Sequence, residues 1–354
     1  MWGLTPIPDS DSFDLMKVAA NMNRRDFIRD CSCAAVLLGL SGCGRTVLPA
    51  ATEGRGRRLN ILFLTADDMN YDSSGCYGGP IRDLTPNLDG LARESIRFVH
   101  AYSTVAVCQP VRQIMQTGLY PHRNGAMGFF PIKCEVRTLN EQLHDAGYLI
   151  SMFGKGKHHQ PAEKFCVDYR EEKISRHPSQ LAVATRTFLK MAREQGRPFF
   201  HNVNCYDPHR PFIGIKGPDD LAEGEKPSRW IRPEEVTVVP GFLEDLPEIR
   251  RELAGYYTNV RRLDDSVGAV LKVLKEEGFD NDTIVMFYGG DHGMSFPFAK
   301  SNDYENSSRG ALMIRWPGVV KPDSVDSDHL VSTLDFAPTL LEAAGLPPIK
   351  DIDG

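Results

Sequence analysis

From residue 59 onward the chain alternates short apolar runs with amphipathic stretches. Residues 59–68, LNILFLTADD, form a continuous apolar run closed by two aspartates, which predicts a strand buried on both faces with polar residues at its C-terminal end. Thr85 and Pro86 open a predicted helix with Leu88, Leu91 and Ile96 on its apolar face, running into a short strand. Residues 137–159 (RTLNEQLHDAGYLISMFGKGKHH) and 179–212 repeat the scheme of helix, glycine stop, strand and polar end. A further helix is predicted over about 248–277, followed by a strand in DTIVMFYGGDHG. Helix and strand units repeated in this way, with no block of one kind, predict an α/β fold with a doubly wound, mostly parallel sheet flanked by helices. Residues 213–247, rich in Pro, Gly and charge, read as a long surface excursion near the site.

Composition narrows the possibilities. With 354 residues, 41% hydrophobic and 25% charged, the chain is long enough for one large α/β core. Its net charge of −6, without a basic stripe, gives no reason to expect nucleic acid as a partner. The eight cysteines lack C-x-x-C spacing, so a zinc knuckle is not expected. Cys76, Cys134, Cys166 and Cys205 read as buried apolar thiols, with disulfides the alternative for an exported protein.

The N-terminal segment differs in kind. Arg24 and Arg25 precede Phe27 and an apolar run too short to span a bilayer, and LSGC ends at Cys43. The pair resembles a twin-arginine export signal and LSGC a lipoprotein cleavage box, so residues 1–58 are expected to be an export signal and linker. That implies an exported protein, periplasmic or lipid-anchored to a bacterial envelope through Cys43.

Under the doubly wound scheme, several polar clusters fall at strand ends and so at one edge of the sheet. Asp67-Asp68 and Asp291, joined by His292, suggest a site for one hard divalent metal, because adjacent carboxylates repel unless a cation lies between them. The cations Arg112, Lys155, His158, His209 and Lys300 exceed what those acids need and suggest a tetrahedral anion as ligand. His100, His144 and His329 read as structural, and Lys157 as solvated. Cys108 stands where a helix begins, with Pro110 in its first turn, Val111, Ile114 and Met115 facing inward, and Gly118 ending it. Neither a base for a thiolate nucleophile nor a phosphatase loop accompanies it.

CQPVRQIMQTGLYPHRNG resembles the C-x-P-S-R…T-G motif of the type I sulfatases. NILFLTADD, TPNLDGLA, GKGKH, DPHRPF, YYTNVRRLDDSVGAVL and GGDHG extend the likeness over about residues 59–345. VNCYDPHRPF and FPFAKSNDYENSSRGALMIRWPG look most like the sulfamidase (heparan N-sulfatase) branch and its bacterial relatives. The resemblance implies an alkaline-phosphatase-like catalytic domain over 59–354, C-terminally truncated by comparison with the family, whose usual smaller C-terminal subdomain after the DG of Asp353-Gly354 is expected to be missing from this sequence.

It also implies that a maturation enzyme converts Cys108 to formylglycine. One hydroxyl of the hydrated aldehyde attacks sulfur, activated by Asp291 or a neighbour, and the amine or alcohol leaves with a proton from a histidine. The second hydroxyl then collapses to the aldehyde and expels sulfate. By the same likeness Asp67, Asp68, Asp291, His292 and residue 108 would ligate calcium, and Arg112 would hold the diol. Lys155 and Lys300 would bind sulfate oxygens, and His209 would sit beside the leaving group. His158 or His159 would match the G-K-x-H histidine. The chain departs from the pattern at Val111, where serine is usual, and at Lys300, where sulfamidase has arginine. The implied substrate is a sulfated saccharide, an N-sulfate or a sulfate ester. A phosphate or phosphonate monoester hydrolase of the same superfamily, or a silent anion-binding relative, are the alternatives.

Overall fold

The computed structural model describes residues 58–217 and 219–354. The export-signal and lipoprotein features at Arg24, Arg25 and Cys43 lie outside the described residues, and so do Cys31 and Cys33. Among the described residues, no helix is long and apolar enough to cross a membrane.

Among the described residues, eight strands form one sheet: β1 (Asn60–Asp67), β2 (Ile96–Tyr102), β3 (Leu149–Phe153), β4 (Tyr169–Glu171), β5 (Phe199–Pro208), β6 (Thr283–Gly289), β7 (Ala311–Arg315) and β8 (Ser324–Ser332). Their order is β4-β3-β5-β1-β6-β7-β2-β8. All pairings are parallel except those of β7 with β6 and β2. The doubly wound, mostly parallel expectation therefore holds, with one reversed strand. A parallel return needs a long crossover. Residues 290–310, between β6 and β7, would be long enough for one, but their helix is the four-residue turn Glu305–Ser308 rather than one that crosses the sheet, and β7 runs antiparallel.

The main helices are α1 (Pro86–Arg93), α2 (Cys108–Thr117), α3 (Leu139–Asp145), α4 (Pro178–Gln195), α5 (Pro247–Glu276) and α6 (Phe336–Ala343). α5 matches its predicted span to within a residue. α1 ends before Ile96, which opens β2 rather than completing the helix face. Strands β1, β3 and β6 are buried at every position, as their unbroken apolar runs predict. They meet α4 and α5 in a core that includes Leu62, Leu64, Phe188, Phe199, Val267 and Phe287.

The excursion over 213–247 is not all surface. Ile231 and Val236 are buried against Tyr256, Val260, Met294 and Phe296, which ties the excursion to the segment after β6. Of the four cysteines read as buried, only Cys205 is so. Cys134 is exposed, Cys76 and Cys166 are half-buried, and all are free thiols. Cys134 lies in a connecting loop, where apolar character alone does not secure burial.

Candidate active site

Five chain segments converge at the C-terminal edge of the sheet. β1 ends in Asp67, and Asp68 follows with φ +65°, a left-handed conformation that aspartate tolerates better than most residues. After β3, Gly154 adopts φ +66°, and a Cβ there would lie 2.3 Å from Asn204 O, so only glycine lets the chain turn into Lys155. β5 leads to His209, and β6 to Asp291 and His292.

α2 supplies Cys108 and Arg112. Expected to bury one face, it buries all ten residues, and Gly118 ends it in a left-handed cap. Cys108 is therefore a buried group at a helix start, with Val111 packed in the core.

Arg112 is the hub of the site. Its Nη1 donates to Thr65 Oγ1 and Asn204 Oδ1, both at 2.8 Å, and its Nη2 donates to Ala66 O and Asp291 Oδ2, both at 3.1 Å. Thr65 and Asn204 are direct register partners on β1 and β5. Sequence reading did not single them out, although a polar residue inside each of two buried apolar runs was a usable signal. Ser295 and Tyr206 were also missed. Ser295 donates to Asp68 Oδ2, and the Tyr206 ring lies 3.8 Å beneath Lys155 Nζ.

The acids are crowded. One ligand atom each from Asp67, Cys108, Asp291 and His292 lies within 4.8 Å of the others, and the same holds for Asp67, Asp68 and His209. Lys155 touches Asp67, and Lys300 Nζ reaches both Asp68 oxygens at 2.9 and 2.6 Å. Both lysines thus meet the acids directly.

Burial raises the Asp291 carboxyl to about 6, with the charge of Asp67 adding to it. Burial also works to raise Asp67, but Lys155 and Arg112 hold it well below its usual range. For His292, burial pulls the ring down, yet Asp291 and the other carboxylates outweigh it and lift it to about 10.

The donor set fits a hard divalent cation. Neither oxygen of Asp67 accepts a hydrogen bond of ordinary geometry, although both are fully buried. His292 Nδ1 lies 3.0 Å from Gly293 O, to which only an N–H can donate, so a neutral ring turns its Nε2 lone pair to Asp68 Oδ1 at 3.1 Å; without a cation there, the carboxylates hold a proton on that nitrogen instead. Buried oxygen and imidazole lone pairs aimed at one another call for a positive charge between them.

The two candidate histidines separate clearly. His159 is fully buried, its Nδ1 bonded to Lys155 O at 3.0 Å and its ring edge-on to Phe165. His158 is half-buried, with Nδ1 lacking a partner. Burial, then Lys155 and Arg112, push its ring down to about 3. His209 is lowered by burial, against the pull of Asp67 and Asp68. Its position is imposed from behind. Arg176 and Asn259 donate to His209 O, and Arg176 also donates to Arg210 O at 3.1 Å. Asp207, flanked by Arg176 and Arg262, anchors that clamp. Lys157 is exposed, as expected.

The family model described as Sulfatase matches residues 59–346. Human N-sulphoglucosamine sulphohydrolase is 33% identical over 342 residues, covering 89% of this chain and 64% of the human enzyme. The chain therefore spans less than two thirds of that relative's length. A solved structure bound to its substrate D-glucosamine-2-N,6-O-disulfate superposes with TM-score 0.67 at 22% identity, over 84% of this chain and 78% of that one. The phosphonate monoester hydrolase of Agrobacterium radiobacter superposes with TM-score 0.63 at 20% identity, over 84% and 76%. Both show the shared fold.

Proposed function

The chain belongs to the sulfatase family, and from that premise we propose that it is a sulfohydrolase acting on a sulfated sugar. N-sulfated glucosamine is the first candidate substrate, because that group names the human relative. The observation that carries the reading is Cys108 held with Asp67, Asp291 and His292 within 4.8 Å, in a buried site rich in cations. A thiol alone does not explain that company; a residue matured to formylglycine, working beside a cation, does. Asp67, Asp68, Asp291 and His292 would hold one calcium ion, which when bound offsets the negative charge of the sulfate and of the attacking oxygen.

The surrounding residues then have distinct tasks. Arg112, fixed by four hydrogen bonds, keeps residue 108 and Asp291 in register. Lys155 and Lys300 balance the acids and present ammonium groups to sulfate oxygens. Burial keeps His158 and His209 neutral in the resting site. A bound sulfate adds negative charge in their field, which favours protonation of His209 once substrate is present and equips it to protonate the leaving amine or alcohol. The paired arginines and the LSGC segment ending at Cys43 support export to the periplasm or to a lipid-anchored position on the envelope.

The fold is shared with a phosphonate hydrolase, so substrates decide the matter. Turnover of N-sulfoglucosamine, a sulfate ester and a phosphate ester is to be compared with and without calcium. Calcium-dependent release of sulfate is expected. Release of phosphate alone, or sulfate binding without turnover, overturns the reading.

A further inference from the structure

Beside His158 the chain exposes three large apolar side chains within four positions, Met127 at 68%, Phe129 at 62% and Phe130 at 62%. Looseness does not explain the exposure, because the loop is fastened on every side. Ala126 and Ile132, which flank it, are buried in a small core with Leu119, Val136, Met152 and Phe165. Ile132 N donates to Gln160 O at 2.9 Å, and Lys133 N donates to Asn124 O at 2.8 Å. Phe130 O accepts from Gln109 Nε2 at 2.9 Å and from Gln113 Nε2 at 3.0 Å. Those glutamines are one turn apart on α2, and Gln109 immediately follows Cys108. The Phe129 ring meets the His158 ring edge-on, centroids 5.9 Å apart. A rigid aromatic ledge therefore borders the candidate active site on the Cys108 and His158 side.

Large apolar side chains held in water forfeit burial energy, and a clustered patch of them calls for an occupant. The ledge carries no charge, since residues 125–132 read GAMGFFPI. On the His158 side, Lys155 and Arg112 supply positive charge. The complementary ligand has an anionic end and a neutral ring with one apolar face. A sulfated pyranose fits: its C–H-rich face, slightly positive, suits the negative face of an aromatic ring, while its sulfate enters the cationic site.

We propose that Phe129 and Phe130 form the sugar-binding subsite of this enzyme, stacking on the pyranose ring that carries or adjoins the sulfate. The inference rests on the sulfohydrolase reading, and its test separates the two. The full chain carrying Cys108→Ala, which cannot turn substrate over, is titrated with an N-sulfoglucosamine-containing disaccharide and with inorganic sulfate. Adding Phe129→Ala and Phe130→Ala is expected to weaken the disaccharide about tenfold, equivalent to about 1.4 kcal/mol, while sulfate changes less than about twofold. Phe129→Trp, which keeps an aromatic face, is expected to retain the disaccharide. Both residues are exposed, so folding is preserved, and the melting temperature verifies that. Unchanged disaccharide affinity in the double alanine variant overturns the subsite and leaves the enzyme reading intact. The same result with loss of a dimer in sedimentation assigns the ledge to a second copy of the chain. Failure of the parental Cys108→Ala chain to bind the disaccharide, with sulfate still bound, overturns the sugar reading and the subsite with it.

Discussion

Replacing Arg112 with methionine keeps most of the side-chain bulk but removes a buried charge and its donors. Arg112 is 1% exposed, so water does not take the place of the guanidinium. Not all four partners suffer equally. Thr65 Oγ1 already donates to Asn204 Oδ1 at 3.0 Å, so these two remain paired with each other. The loss falls on Asp291, which stays buried beside the Asp67 carboxyl with His292 but without the guanidinium that bonds it at 3.1 Å. Removing one partner of a buried ion pair costs about 3–5 kcal/mol, a large fraction of the roughly 5–15 kcal/mol that holds a typical domain together.

Urea unfolding at pH 7 in calcium-free buffer measures the cost directly. Arg112→Met should lower stability by about 3–5 kcal/mol, and adding Asp291→Asn should return part of it, because no buried charge is then left alone. A coupling energy of about 1–3 kcal/mol in the double-mutant cycle is expected. A single variant within about 0.5 kcal/mol of the parent, or losses that simply add, would refute the view of Arg112 as the electrostatic hub.

Calcium at about 100 times its dissociation constant should stabilise the chain by about 2.7 kcal/mol, read as a rise in melting temperature. Asp68→Asn should abolish most of that rise, and a full rise in the variant would remove Asp68 from the ligand set. Arg176→Ala should release the backbone clamp on His209 and lower kcat about tenfold, about 1.4 kcal/mol in barrier, with little change in KM and partial recovery in Arg176→Lys; a stability loss with kcat intact would make Arg176 merely structural. His201, buried between Ser151 and Thr185, has its ring pushed down to about 3 by burial, against 6.5 in the unfolded chain. Between those values the unfolded state binds the extra proton, so stability falls as pH drops from about 6.5 toward 3, by up to about 5 kcal/mol at about 1.4 kcal/mol per unit. His201→Gln should flatten that acid limb in urea titrations, and an unchanged slope would exclude His201 as its source.

The sequence made the framework of the site legible wherever an apolar run ended in polar residues. LNILFLTADD and MFYGGDHG each announced a buried strand and the acids at its end, and both lie where the pattern placed them. The ledge and the clamp were not legible. Nothing in GAMGFFPI marks Phe129 and Phe130 as exposed, since no local signal says that glutamines of α2 will bond the Phe130 carbonyl and fix the loop. Arg176 and Asp207 are separated by thirty-odd positions, and only the pairing of β5 with its neighbours brings them together. The antiparallel β7 escaped notice because apolar periodicity carries no strand direction; the lack of a long helical pattern between His292 and Ala311 was the usable clue. His158 and His159 differ by one position on a tight turn, and packing against Phe165, a tertiary contact, is what sorts them.

Mass spectrometry of the proteolytic fragment containing residue 108, from protein produced together with a formylglycine-generating enzyme, reads out whether the thiol has been converted. An aldehyde in place of the thiol is predicted, with sulfate release proportional to the converted fraction. Full activity from protein in which that residue is entirely cysteine would contradict the account.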